Sequence, residues 1–502
     1  MPALLALRFS IIWGLLIAID SGKGDTGSIK SEVKPVPILR RALESAERDP
    51  DKDGVYLELA IAFAKAGAIE TGLEVAGRCQ NEQHRVAAIG SIAAVQAHAG
   101  DRAGAMKTAG MLPRAMHSSA ILRIAIQESL KGDGDGAILT IYDEDRAGPE
   151  LIQSLRMLAY AQETAEDFRG ASRTYATIPK AVEQARGHRP LVLDLLKRGD
   201  VNGAFRAADE ARQQLRDIAA NGPAPRRYQR RLNPDSFHDG LLSRIAKEQM
   251  RAGDTAGSIA TAERITLLYQ KSLTIARLAQ LKAASGDRAT AKTLIARAFV
   301  LAAESGYKGD ELTAIASAEA QAGEIDASRK TFLRAAETVG VVGNRVFVID
   351  AQARSGDIEG ALQSIESIPN EGVKDDSFHL VAKNAARAGQ FVQAVAIAKK
   401  IRKAEILALA LLDISESRAK AGDRLGAIED IRRIESLSHN LSSDVIRSVN
   451  RVRASLGDID GAMKWSTSGA IPETVRARAL LGVAEGLLPD VKMLGFLPLE
   501  NP

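Results

Sequence analysis

Apolar residues along this chain recur in a helical pattern that repeats about every 33 residues. Counted back from a recurring glycine, the eighth residue is aliphatic and the seventh is usually alanine, as at Leu59 and Ala60 before Gly67. Five residues after the glycine, a small residue returns, as at Ala105 after Gly100. Large and small side chains at these spacings form a stripe along one helix face. The pattern predicts pairs of antiparallel helices that cross closely at the small residues.

The recurring glycine stands at the turn between the two helices of each pair. It often begins the phrase Gly-Asp-x-x-Gly-Ala, in which the glycine can end the first helix in the left-handed conformation and the aspartate can cap the second. Complete or altered copies begin at Gly67, Gly100, Gly132, Glu166, Gly199, Gly253, Gly286, Gly323, Gly356, Gly389, Gly422 and Gly457. This period is typical of stacked helical hairpins. The chain is therefore predicted to be an all-α solenoid of about twelve repeats.

These repeats resemble the tetratricopeptide repeat family, as a divergent and alanine-rich branch. Most copies carry the family's large residue eleven positions before the turn, as at Tyr56 and Leu411. The family's aromatic residue four positions before the turn is present only as Phe63, and polar side chains such as Gln96 and Gln352 stand there in other copies. The resemblance implies a right-handed superhelix whose first helices line a concave groove.

The periodic pattern also divides the chain into segments. An apolar run at 9–19 follows a weakly basic start, which is the pattern of an export signal. One interval between turns is about 21 residues longer than the others and contains prolines, which indicates a loop insertion. The predicted segments are a signal peptide or membrane anchor (1–21), a flexible linker (22–37), an N-terminal repeat block (38–219), a basic loop insertion (220–240), a C-terminal repeat block with a capping helix (241–490) and a tail (491–502).

Composition narrows the classes of function. The chain has 67 Lys and Arg against 63 Asp and Glu, a formal net charge of +4, which argues against a nucleic-acid binder that relies on overall positive charge. Aromatic residues make up only 4% of the chain, so few side chains can stack on bases. Cys79 is the single cysteine and is predicted to be buried, which excludes an intramolecular disulfide and a cysteine-based zinc site.

The motifs that could carry chemistry are incomplete. The sequence Gly-Lys-Gly-Asp-Thr-Gly at 22–27 matches a dinucleotide-binding fingerprint, but prolines rather than a helix follow it. Asp49, Asp51 and Asp53 begin an EF-hand-like loop, but Ala60 stands where the closing glutamate belongs. The histidines lack metal-ligand spacing, and the chain has neither a nucleophile elbow nor a phosphate-binding loop motif. We therefore expect no catalysis, no cofactor and no metal.

The candidate binding residues are basic and form two groups. By the resemblance, side chains six and two positions before the turn point into the groove. The basic residues at these positions in the C-terminal block are Lys247, Arg251, Arg354, Lys383, Arg387, Lys420 and Arg451. The second group surrounds Tyr228 in the insertion and consists of Arg226, Arg227, Arg230 and Arg231. Guanidinium groups suit phosphate or acidic segments, although a cation in the last helical turn can simply interact with the helix dipole.

The predicted function is a non-catalytic scaffold that binds segments of partner proteins, including acidic ones, in the concave groove. The alternative is polyanion or nucleic-acid binding through the loop at 226–231 and the groove cations, although near-neutral charge disfavours nucleic acid. A membrane would be contacted only by an uncleaved N-terminal segment. The predicted location is periplasmic, extracellular or membrane-tethered, with the cytoplasm as the alternative.

Overall fold

The computed structural model describes residues 33–144, 149–221, 233–306, 308–338 and 342–489. Within these ranges the regular elements are helices. Every helix described below belongs to one compact unit that begins at Pro35.

Several sequence predictions lie outside the described residues. They concern the signal peptide or anchor, the tail, and the basic cluster of Arg226, Arg227, Arg230 and Arg231. In the part of the chain that the structure describes, no helix combines the length and the apolar character needed to cross a membrane.

The described array begins with α1 (Pro35–Ala46) and ends with α27 (Arg476–Glu485). From α2 to α26, the helices are the first and second members of successive hairpins, apart from one short extra helix. The first helices are α2 (Lys52–Lys65), α4 (Glu82–Ala99), α6 (His117–Leu130), α8 (Pro149–Thr164), α11 (His188–Lys197), α13 (Pro234–Arg251), α15 (Leu268–Ala284), α17 (Gly309–Gln321), α19 (Val342–Arg354), α21 (Glu371–Arg387), α23 (Ala404–Lys420) and α25 (Ser443–Ser455).

Each first helix is followed by a second helix that packs against it. The second helices are α3 (Ile69–Gly77), α5 (Arg102–Ala109), α7 (Gly134–Glu144), α9 (Phe168–Thr177), α12 (Val201–Asn221), α14 (Thr255–Glu263), α16 (Arg288–Ser305), α18 (Ile325–Thr338), α20 (Ile358–Glu366), α22 (Phe391–Ala398), α24 (Arg424–Glu435) and α26 (Ile459–Ser466). A short helix, α10 (Ala181–Arg186), lies between the hairpins of α8 and α11.

The turns confirm the predicted role of the recurring phrase. Gly100 has a φ of 93°, and the other predicted turn glycines also have positive φ, while Glu166 takes a φ of 60°. The Asp101 carboxylate accepts a hydrogen bond from the Gly104 N–H at 2.8 Å and so caps α5. A Cβ atom on Gly104 would lie 2.0 Å from an oxygen of that carboxylate. The second glycine of the phrase therefore leaves room for the capping carboxylate, although Thr290 donates the same hydrogen bond to Asp287 at 3.1 Å.

Small residues allow the two helices of a hairpin to cross closely, as predicted. Leu59 and Ala60 on α2 are fully buried. On α3, a Cβ atom added to Gly72 would lie 2.8 Å from the backbone oxygen of Ala60, so nothing larger than glycine fits at this crossing. In the next hairpin the equivalent position is Ala105, which is also fully buried.

A buried hydrogen-bonded group replaces the family's aromatic residue four positions before the turn. The Gln96 side chain accepts a hydrogen bond from the Thr108 hydroxyl at 2.7 Å and donates one to the capping carboxylate of Asp101 at 3.3 Å. We call this arrangement the side-chain clasp. It recurs at Gln249, which bonds with Thr261 and Asp254, and at Gln352, which bonds with Ser364 and Asp357. The clasp ties the second helix to the first while satisfying a buried amide.

The array of hairpins closes on itself through the two terminal helices. α27 packs against α25 on one side and against α1 and α2 on the other. α1 and α27 run antiparallel, since Arg48 after α1 pairs with Glu473 before α27 at 3.6 Å. On α27, Leu480, Val483 and Ala484 are buried at the spacing of a first helix. α1 therefore serves as the second helix of a composite hairpin made from the first and last helices that the structure describes.

Ion pairs reinforce this closure. Arg478 on α27 contacts Asp49 at 3.3 Å and Asp51 at 2.7 Å, which lie just before α2. Arg447 on α25 contacts both Glu58 on α2 and Glu485 on α27. The sequence analysis predicted a capping helix at the end of the C-terminal block. In the structure the apolar stripe of α27 is covered by α1.

Helices extend into two segments that the sequence analysis assigned to linkers. α1 begins at Pro35, and α12 and α13 reach Asn221 and Pro234, inside the ranges assigned to the linker and to the insertion. Asn233 caps α13 by accepting from the Asp235 N–H at 2.9 Å, and Pro234 occupies the first turn, where a missing N–H is tolerated. Arg212 on α12 then pairs with Asp235.

Candidate binding surface

The first helices form a continuous layer, which we call the inner layer. First helices of successive hairpins pack against each other, and α27 joins the last of them to α2. The exception is the step from α8 to α11, which is bridged by the ion pair of Glu163 with Arg189. The second helices pack mainly between their own first helix and the next one. The first helices therefore lie on the inner side of the closed array. Their relative register is fixed by contacts such as the 2.9 Å hydrogen bond from Thr274 on α15 to Ser243 on α13.

One set of inner-layer charges is balanced within the chain. The Asp413 carboxylate on α23 lies 2.9 Å from the Lys383 Nζ and 2.7 Å from the His379 Nε2, both on α21. Burial opposes ionisation of Asp413, but the hydrogen bond with His379 and the charge of Lys383 outweigh it, so the pKa of Asp413 is lowered. We call these three residues the paired cluster.

A second set occupies the same register four first helices earlier in the C-terminal block but lacks the carboxylate. Lys247 on α13 stands six positions before its turn, as Lys383 does, and Arg277 on α15 stands nine positions before the next turn, as Asp413 does. Arg244 lies one helical turn before Lys247. We call Arg244, Lys247 and Arg277 the cationic cluster. Within the described ranges, none of the three takes part in an ion pair.

The electrostatic consequence is visible at Lys247. Burial, followed by the charges of Arg277 and Arg244, lowers the pKa of Lys247 to about 8. Burial also lowers the pKa of Arg244. The cationic cluster therefore brings the half-buried Arg244 and Lys247 next to the exposed Arg277. Glu163 and Glu248 offset the lowering of these pKa values only in part.

Comparison with known proteins finds similarity at the level of helical repeats. No protein-family model matches the chain, and no curated protein is significantly similar to it. Similar solved structures include Ton1535 from Thermococcus onnurineus NA1, at 14% identity over 72% of this chain and 98% of that chain with a TM-score of 0.23. The Rap protein complexed with Competence and Sporulation Factor is 13% identical over 80% and 98%, with a TM-score of 0.24.

A circular tandem repeat protein with novel repeat topology and enhanced subunit contact surfaces is 15% identical over 91% of this chain and 97% of that chain, with a TM-score of 0.15. At such low TM-scores these similarities carry no weight for function. The repeats are tetratricopeptide-like. The order of the helices, the left-handed turns and the packing of first against second helices show this directly.

The predicted groove residues of this tetratricopeptide-like array divide into two groups. Three of them form ion pairs inside the chain: Lys383 with Asp413, Arg354 with Asp350, and Arg251 with Glu248. The other four form no ion pair with any described residue: Lys247, Arg387, Lys420 and Arg451. Arg387 and Lys420 are exposed, whereas Lys247 and Arg451 are half-buried.

The sequence analysis missed Arg244 and Arg277 as candidates. It considered only positions six and two before the turn, as the resemblance implied. Both residues stand nine positions before a turn, and this position faces the neighbouring first helix. A basic residue there together with a basic residue six positions before the preceding turn is the signal that could have identified the pair.

The residues that suggested metal or thiol chemistry have structural roles. In the described ranges, no cluster of three or more metal-ligating side chains is present. Asp51 caps α2, Asp53 accepts hydrogen bonds from backbone N–H groups that precede α4, and Asp49 pairs with Arg478. Cys79 is buried, as predicted, and burial raises its pKa to about 11, so it is a poor nucleophile.

Proposed function

We propose that the protein is a non-catalytic scaffold whose inner layer binds segments of partner proteins. The observation that carries the proposal is a contrast within the first helices of the C-terminal block. The position eight residues before the turn is aliphatic and buried throughout: Ile245, Leu278, Ile315, Val348, Val381, Ile414 and Val449. The position six residues before the turn is polar but varied, as at Lys247, Asp350 and Glu416. A uniform core beneath a varied polar face suits recognition by side chains.

A row of cations on three successive first helices supports an acidic partner segment. Arg387 on α21 and Lys420 on α23 are exposed, and Arg451 on α25 is half-buried. None of the three forms an ion pair with the described part of the chain. Lys420 and Arg451 act on the Glu416 carboxylate only through their charge, without a direct ion pair. The hydrogen-bond donors of the three cations therefore remain available to a ligand that lies across the three helices.

The test is affinity capture from the source cell with a charge-reversed inner layer. One variant carries Arg387→Glu, Lys420→Glu and Arg451→Glu. Lys383 is left unchanged, because it balances Asp413. A matched control carries Lys330→Glu, Arg432→Glu and Lys464→Glu on the second helices α18, α24 and α26, where the side chains are exposed. Both variants change the net charge equally.

Quantitative mass spectrometry of the captured proteins gives the readout, after circular dichroism has shown that both variants are folded. We expect the specific partners to fall by roughly tenfold in the inner variant and to be retained by the control. Equal retention by both variants would show that the inner layer is not the binding surface.

A further inference from the structure

The cationic cluster on α13 and α15 differs from the row of cations discussed above because its charges face one another. In the paired cluster, the equivalent position holds a carboxylate that accepts contacts from two side chains of the preceding first helix. In the cationic cluster, that position holds the guanidinium of Arg277. At the same position of the repeat, the paired cluster therefore has an anion, Asp413, between its two helices. The cationic cluster has a cation, Arg277, at that position.

The carboxylates nearest to the cationic cluster are already paired with other cations. Glu248 on α13 contacts Arg251, one helical turn later. Glu163 at the end of α8 contacts Arg189 on α11. Arg189 adds further positive charge next to Arg244. The groups that face the cluster from its own helix and from α8, α11 and α15 therefore leave three positive charges to be balanced.

We propose that Arg244, Lys247 and Arg277 bind a phosphate group. A phosphate dianion brings close to two negative charges and several acceptor oxygens, which matches three cations better than a single carboxylate does. The two guanidinium groups offer paired N–H donors that fit phosphate oxygens, and the lysine adds a compact charge. The contact is strengthened because Lys247 and Arg244 are half-buried and thus partly shielded from water.

The phosphate group has two possible sources: a free phosphate or small phosphorylated molecule, or a phosphorylated side chain of a bound segment. The proposal does not depend on the scaffold function, because inorganic phosphate alone tests the first source. A peptide that contains one phosphoserine, compared with the same peptide without phosphate, tests the second.

The experiment is isothermal titration calorimetry on the full chain at constant ionic strength, with chloride as the reference anion. The variants are Lys247→Met and Arg277→Gln, and the matched control is Lys330→Met on α18. Since each cluster variant removes a cation from like-charged neighbours, we expect both to fold, and thermal unfolding checks this. Saturable binding of inorganic phosphate or of the phosphopeptide should weaken by roughly tenfold in each cluster variant and stay unchanged in the control.

The pH dependence provides a second readout. Lys247 loses its charge as the pH rises through about 8, so phosphate affinity should fall across this range in the wild-type chain and change less in Lys247→Met. Binding of only the phosphopeptide would assign the site to a phosphorylated segment, and binding of inorganic phosphate would assign it to free or small phosphates. Absence of binding by both probes, or equal binding by all variants, would overturn the proposal.

Discussion

The paired cluster on α21 and α23 and the cationic cluster on α13 and α15 occupy the same register of the inner layer. Only the paired cluster contains a carboxylate that balances its cations. Asp413 balances Lys383 and His379 in the first cluster, whereas Arg277 faces Lys247 in the second. The buried apolar positions around them hardly differ. The repeat thus requires a particular core but not a particular charge on its inner side. Each hairpin can carry its own recognition chemistry without a change of fold.

The largest expected effect comes from breaking the paired cluster. Asp413→Asn keeps the shape of the side chain but leaves Lys383 and His379 without their anion. We expect a loss of about 3 kcal/mol in the free energy of unfolding, because removing one partner of a buried pair leaves an uncompensated charge. Urea unfolding at neutral pH measures it. The control is Glu429→Gln, which removes an exposed i,i+4 pair with Arg433 and should cost less than about 0.5 kcal/mol. Equal losses would contradict the role assigned to Asp413.

The half-satisfied carboxylate of Glu319 provides a second test, in which the unbalanced charge is negative. Glu319 stands at the clasp position before Gly323, but Glu324 follows the turn where the clasp has aspartate. One oxygen of the Glu319 carboxylate has no hydrogen-bond partner among the described residues, and burial raises the pKa of Glu319. A glutamine would keep an oxygen that accepts from Thr331 and would carry no charge, so Glu319→Gln should stabilise the chain by about 1 kcal/mol at neutral pH.

The gain from Glu319→Gln should depend on pH with a definite sign. The folded pKa of Glu319 is raised above its ordinary value, so the folded chain favours the protonated side chain and the wild type is penalised only above that range. Urea unfolding at neutral pH and at about pH 4 should therefore show the gain disappearing in acid. A gain of the same size at both pH values would mean that charge is not its cause.

The smallest expected effect comes from converting the cationic cluster into a paired one. Arg277→Asp places a carboxylate opposite Lys247, as Asp413 lies opposite Lys383, and should stabilise the chain by about 0.5–1 kcal/mol. Arg277→Asn, which removes the cation without adding an anion, should stabilise the chain less.

The pH dependence of stability tests the same comparison. Because the pKa of Lys247 is lowered to about 8, the folded wild type releases this proton at a lower pH than the unfolded chain does. The stability of the wild type should therefore rise as the pH increases above about 8. Thermal unfolding across this range should show a weaker rise in Arg277→Asp, and a variant less stable than the wild type would refute the equivalence of the two registers.

The hairpins could be predicted from the sequence because their determinants are local. A turn glycine, its capping aspartate and the glycine that makes room for the cap lie within five residues, as at Gly100, Asp101 and Gly104. The side-chain clasp was recognised only as a missing aromatic residue. Its signal is present in the spacing of Gln96, Asp101 and Thr108, but the meaning of that spacing depends on how the second helix crosses the first.

The closure and the cationic cluster could not be predicted because both depend on contacts between repeats. Arg478 and Asp49 are separated by 429 residues, and neither belongs to a repeated motif. The sequence analysis found Lys247 by counting along one helix, but it did not find Arg277, which acts on Lys247 from the next helix. The charge balance at a position of the inner layer depends on side chains of the next first helix, about one repeat away in the sequence. It can therefore be predicted only by comparing positions on adjacent helices.

The composite hairpin also changes how the molecule can come apart. In an open stack of repeats, each end has one neighbour fewer than the middle, and unfolding can start there and propagate. Among the described helices, α1 and α27 cover each other, so neither terminal hairpin of this array has an uncovered face. Separating these two helices creates two fraying ends at once. The cooperativity of the described array therefore depends on the non-covalent junction between α1 and α27.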